Sequence, residues 1–332
     1  MDDKIYSRTW PFGENIHSVA FADDGTAGFA LVDGTVVLVQ DEQEERHSLG
    51  STLSFAATRD GFVHGGDDGR VTRLVRNKEP EVLATHKGKW IDHVATHPDG
   101  HIAYATGKDA FILGRDTPLS HPGSIGGLAF DPNGKRLAAS HYNGVSLWWL
   151  KSKESKPQVL NWKGSHLGLL WHPSGTHLMT SMQENALHGW RMKDLSELRM
   201  AGYPGKVHSM GFSAKGKWLA TSGGEQIICW PFTGGGPQGK PPFALGMPES
   251  RPCTVVAPHP KEELVAAGYG TGRVVLAIFE DRLPIEILPP DNVPVTALAW
   301  SPDGMRLLAG REDGSAFLFT AEAILNTHQA DF

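Results

Sequence analysis

Cysteine is nearly missing from this chain: its 332 residues include two, Cys229 and Cys253. Small secreted domains stapled by disulfides carry several pairs, so a disulfide framework is excluded as the source of the fold. Positive charge is also short. Lysine and arginine number 31 against 37 aspartates and glutamates, a formal net charge of -6. Nucleic-acid binders usually show a basic excess, and overall charge offers none here. No run of about 18 uninterrupted apolar residues occurs, so nothing reads as a membrane-spanning helix. The opening residues, Met1 to Arg8, lack a basic stretch followed by an apolar one, and so do not read as a secretory leader. The expectation is a cytoplasmic protein with no membrane and no nucleic-acid partner.

Glycine (39) and proline (22) are abundant. That pairing favours many short strands joined by tight turns over long helices. With 40% hydrophobic and 20% charged residues, the chain has the material for a globular core.

One unit recurs: an apolar strand, a glycine turn, a second apolar strand, a polar turn and a third strand. Its clearest copy runs VTALAW (295–300), SPDG (301–304), MRLLAG (305–310), REDG (311–314) and SAFLF (315–319). The first turn counts the copies, at Gly25, Gly61, Gly100, Gly134, Gly175, Gly216 and Gly304, with a degenerate eighth at residues 259–262. Successive glycines lie 36, 39, 34, 41 and 41 residues apart, and the last 88 divide into two units of about 44. Asp-Gly and Asn-Gly accept the positive φ that tight hairpins require. Pro98, Pro132, Pro173 and Pro302 supply the fixed φ of a turn's first central position. The preceding strands are near-copies of one another: IHSVAF (16–21), IGGLAF (125–130) and VHSMGF (207–212). Short runs bounded by Gly and Pro read as strands.

The unit resembles the WD repeat. Its third strand ends in tryptophan at Trp148, Trp190 and Trp230, and a turn such as Asp67-Asp68-Gly69, Asn143-Gly144 or Asp313-Gly314 precedes it. The literal Trp-Asp pair is absent, and His86-Lys87-Gly88 and His121-Pro122-Gly123 stand where Gly-His would be. The resemblance covers nearly the whole chain. It implies an all-β fold: a single closed β-propeller over residues 1–320, with eight four-stranded blades and seven as the alternative. The last unit ends at Phe319 without a fourth strand, so the orphan strand at residues 5–10 is expected to complete it and remove an open sheet edge. Residues 321–332 form a short tail, with one helical turn expected at 321–326.

Candidate chemistry is sparse. The 16 histidines do not converge in the pattern of three or four ligands that zinc requires. His93, His97 and His101 are interrupted by a turn, while His97, His172 and His259 sit in equivalent turns of different units. The glycine-rich stretch 233–240 ends in Lys240-Pro241-Pro242, which forbids the helix a phosphate loop needs. No catalytic residue, cofactor or metal site is therefore expected. The charge runs Glu42, Glu44, Glu45 and Lys151, Lys153, Lys156 read as solvated loops. The loops at one end of the strands carry aromatic and basic residues of the kind that dominate protein interfaces. These point to a non-catalytic scaffold binding a protein or peptide through Lys89, Trp90, Tyr142, Trp162, His166, Tyr203, His208 and Tyr269. The alternative is a propeller enzyme or metal-handling protein using His17, Asp92 and His208 near the axis.

Overall fold

A computed structural model of the chain describes residues 5–152, 156–280 and 284–324. Among these, the regular structure is β-strand except for one helical turn at residues 321–324. The recurring element is a four-stranded antiparallel meander, such as Ile16–Phe21, Ala27–Leu31, Thr35–Gln40 and Gln43–Ser48. Each meander is a propeller blade. Second strands are buried along their whole length, as in Ala27–Leu31, Gly61–Gly66, Ile102–Thr106 and His177–Met182. They are covered on both faces, so their sequences read as continuous small and apolar runs rather than as alternation. Fourth strands are more exposed, as in Gln43–Ser48, which is polar throughout, and Glu81–Thr85.

The turns behave as their sequences require. Gly304 adopts φ 79°, and the Asp303 carboxylate accepts the Met305 backbone N–H at 2.9 Å. Gly25 repeats this with φ 86°, and Asp24 accepts the Thr26 N–H at 2.9 Å. Aspartate thus closes the turn with its own side chain while glycine takes the left-handed step.

The chain divides into two compact units, residues 1–46 with 209–332, and residues 47–208. In the first unit, Tyr6–Pro11 pairs antiparallel with Ser315–Thr320, so the N-terminal strand completes the last blade as expected. Trp10 is 4% exposed and packs 5.1 Å from the ring of Phe29. Trp230, Cys229 and Cys253 are buried in the same unit, and burial pushes the Cys253 thiol up to about 12. Ile324, on the helical turn, packs with Phe319 in the core. The rest of the tail, and Lys153 of the lysine run, lie outside the described residues. In the second unit Trp148, Trp171 and Trp190 are buried.

Within each unit, neighbouring blades are stitched by hydroxyls on or beside inner strands. In the second, Ser54 accepts the Val94 N–H at 2.8 Å and Thr96 donates to the Ala57 carbonyl at 2.7 Å. In the first, Thr254 donates to Val295 at 2.7 Å and Thr296 to Ile16 at 2.6 Å. Small polar residues there satisfy backbone groups that blade packing would otherwise strand.

The blade count departs from the expectation of eight separate four-stranded blades. Seven hydrogen-bonded sheets form among the described residues, six of four strands and one of six, which meets the alternative of seven. The difference lies in the fourth and fifth repeats. Arg136–Trp149 is one 14-residue element that folds back at Asn143 and Gly144, where φ is 68° and 146°; Leu150 N–H then reaches Lys135 O at 2.9 Å. Gln158–Trp171 is likewise continuous over 14 residues. Its first half pairs with Val145–Leu147, and its second half pairs with the strand His177–Met182. No linker interrupts the strand hydrogen bonding between the outer strand of the fourth repeat and the inner strand of the fifth, so the two repeats share a sheet.

Candidate functional site

The loops at one end of the second unit's strands form a continuous backbone-bonded run. The linker 86–91 is tied to the turn of the preceding blade: His86 N–H bonds Gly69 O at 2.8 Å and Ile91 N–H bonds Gly66 O at 3.0 Å. Asp92 then accepts the Gly107 N–H at 3.0 Å, and Ile125 N–H bonds Gly107 O at 2.8 Å. Tyr142 pairs in register with Ser165, and Asn143 accepts the Gly164 N–H at 3.3 Å. Each turn of one blade is thus fixed to the linker entering the next.

This run separates the expected partner-binding residues into two groups. Lys89, Trp90, Tyr142 and His208 are exposed, Trp90 at 64% and Tyr142 at 58%. Trp162 is half-buried, its ring stacked on His188 at 4.1 Å and 14°. His166, Tyr203 and Tyr269 are buried, at 1%, 8% and 1% exposure, and present no side-chain surface. Tyr269 belongs to the hydrophobic core of the first unit, where burial pushes its phenol pKa up. Residues 209–212 begin their strand only at Met210, so His208 precedes the strand instead of standing within it.

The buried histidines are structural pegs. Linker histidines pack against third-strand aromatics in three successive repeats: His86 on Phe111 at 4.5 Å, His121 on Trp148 at 5.6 Å and His166 on Trp190 at 5.6 Å. Trp148 Nε1–H donates to His121 Nε2 at 2.9 Å, which leaves His121 Nδ1–H for the Lys108 carbonyl at 3.1 Å. His166 bridges the Trp162 carbonyl at 2.9 Å and the Thr180 hydroxyl at 2.8 Å. Burial lowers the pKa values of His121, to about 4, and of His166; for His188, burial and nearby His166 and Arg199 bring it to about 3.

Among the described residues, no group of three or more His, Cys, Asp or Glu side chains converges as a metal site. Lys240 of the glycine-rich stretch is spent inside its own loop, donating to the carbonyls of Thr233 and Gly236. Asp92 is occupied by the Gly107 amide, and His17 Nδ1 lies 2.7 Å from the Ser18 hydroxyl. Trp149 is an exposed aromatic that sequence reading passed over, at 48% with Arg136 over its ring at 5.3 Å. The signal was the Trp148-Trp149 doublet, since alternation in a strand turns one ring inward and the next outward.

Residues 284–320, the outer strand and last repeat, match the family model for the WD domain, G-beta repeat. The chain is 28% identical over 137 residues to small ribosomal subunit protein RACK1y of Oryza sativa subsp. japonica. That stretch is 37% of this chain and 40% of the relative, so the match spans about two fifths of the relative's length. Two solved structures share the fold at 14% identity. A chain of the mitotic checkpoint complex crystal structure has TM-score 0.64, with 97% of this chain and 96% of that chain covered. The computationally designed Ika8 protein has TM-score 0.74, with 93% and 96% covered. Repeated four-stranded meanders completed by the N-terminal strand define the class as a β-propeller. Residues 284–320 match the WD-repeat model, and the other repeats resemble that unit.

Proposed function

We propose that this chain is a non-catalytic scaffold that binds a protein or peptide partner through the loop end of residues 47–208. Trp90 and Tyr142 are the anchors, with Lys89 beside them and the exposed edge of Trp162 contributing. One observation carries the reading. Two large rings stand 64% and 58% exposed on loops whose backbones are pinned by hydrogen bonds. Exposed aromatics on rigid supports are costly to leave in water and lose little entropy when covered, the properties of interface hot spots. Lys87, Lys89 and Lys163 are exposed around them, and no ion pair engages them among the described residues. Charges so placed act on association rate and salt dependence more than on affinity. The rice relative's name, a small ribosomal subunit protein, fits a role in assembly rather than in chemistry. His166 and Tyr203 are buried in the same unit, and Tyr269 lies in the core of the other. The test is Trp90→Ala with Tyr142→Ala in a protein checked for native thermal stability. Affinity capture and mass spectrometry should lose the specific partners of the parent; an unchanged partner set would refute this face.

A further inference from the structure

At the other end of the same unit's strands lies a trough. It consists of two depressions of about 390 and 480 Å³ that share His101 and Leu113. The first is walled by the turns at 58–60 and 97–100, with Arg73 of the neighbouring strand. The second is walled by the turns at 112–117 and 150–152. Consecutive blades therefore supply its sides, and no single repeat contains it.

Its charge runs against that of the molecule, whose formal net is -6. Arg59, Arg73, Arg115 and Lys151 line it against Asp60 and Asp99. Asp60 is taken by Arg73 Nη2, at 2.7 and 2.9 Å, and that hydrogen bond holds its carboxyl below the usual range. Asp99 lies 3.6 Å from His97. Among the described residues Arg59 donates to the Pro98 carbonyl alone, at 3.1 Å, and Arg115 and Lys151 have no acidic partner. Asp116, on the same turn as Arg115, does not line the trough. Between the cations Leu113 stands 41% exposed, above buried Ile102 and Ile112. The fourth strand of the adjacent blade, Leu119–Ser120, has two residues paired with Asp109 and Ala110, and past it the Ile112 carbonyl accepts the Arg115 N–H at 3.0 Å.

We propose that this trough is a docking site for an extended acidic peptide segment of a partner protein. The peptide's carboxylates would meet Arg59 and Arg115, and an apolar side chain between them would cover Leu113. The site is distinct from the loop end carrying Trp90 and Tyr142, and it stands whether or not that face binds.

The test is fluorescence anisotropy of the full chain at low salt, with a labelled short peptide alternating glutamate and leucine as probe. Saturable binding is expected, weakened about tenfold or more by Arg59→Glu with Arg115→Glu, and weakened by added salt. Both arginines are at least partly exposed, so the variant should keep its native melting curve; Leu113→Asp is a second variant expected to weaken binding. Trp90→Ala with Tyr142→Ala should leave it unchanged, which separates this site from the loop face. No saturable binding, equal binding of a glutamine-leucine peptide, or indifference to the arginine reversal would overturn the proposal. Displacement by free glutamate at matching concentration would also overturn it, by showing that small carboxylates suffice. Tighter binding of single-stranded RNA through the same arginines would reassign the trough to nucleic acid.

Discussion

Acid should unfold this protein through its buried histidines, and His188 gives the clearest case. Its side chain is fully buried, stacked on Trp162 at 4.1 Å and edge-on to Trp190 at 4.7 Å. Neither ring nitrogen has a hydrogen-bond partner among the described residues. Burial, with nearby His166 and Arg199, brings its pKa to about 3. In the unfolded chain a histidine titrates near 6.5, so below that pH the unfolded state binds a proton that the folded state refuses. Stability is full above about pH 6.5 and falls with pH until the folded pKa is reached, by about 1.4 kcal/mol per pH unit. At about pH 5 the loss from His188 is about 2 kcal/mol. His121, brought to about 4 mainly by burial, adds a similar amount. The two together, about 4 kcal/mol, are a large part of the roughly 5–15 kcal/mol that holds a domain folded. His188→Leu keeps the volume nearly constant and removes one of these protons. Urea unfolding of parent and variant at about pH 7.5 and about pH 5 measures the effect. The variant should gain about 2 kcal/mol relative to the parent on acidification, since other groups cancel in the difference. Parallel pH dependence of the two proteins would refute the reasoning.

Two further outcomes concern the fold. Deleting residues 1–12 removes the pairing partner of Ser315–Thr320 and the buried Trp10, and should cost more than the roughly 3 kcal/mol of one buried tryptophan; an unchanged melting temperature would show that this strand does not complete the blade. Trp148, Trp190 and Trp230 are 4%, 2% and 7% exposed, so each changed to alanine should cost about 3–5 kcal/mol in denaturant unfolding. Trp148→Phe should still cost about 1–3 kcal/mol, because it strips His121 Nε2 of its donor.

The repeat, its turns and its strand-end tryptophans were legible in the sequence because local chemistry sets them. Asp303 with Gly304 closes a turn from its own atoms, wherever the strand beyond it goes. The orphan strand before the first repeat announced the pairing with residues 315–320 by the same counting. Which aromatics would face water was not legible. Trp90 and Tyr203 both sit in polar linkers between repeats, yet one is 64% exposed and the other 8%, and neither residue type nor spacing distinguishes them. His166 and Tyr269 were chosen by residue type, and their burial depends on packing partners well removed in sequence. The merging of two repeats into one six-stranded sheet was hidden for a related reason: hydrogen bonding, not residue type, carries Gln158–Trp171 through as one strand. The trough at the opposite end was hidden as well. Arg59 and Arg115 belong to different repeats, and each alone is an ordinary solvated charge. Local sequence determined what each repeat is, and tertiary packing decided which of its side chains reach the surface together.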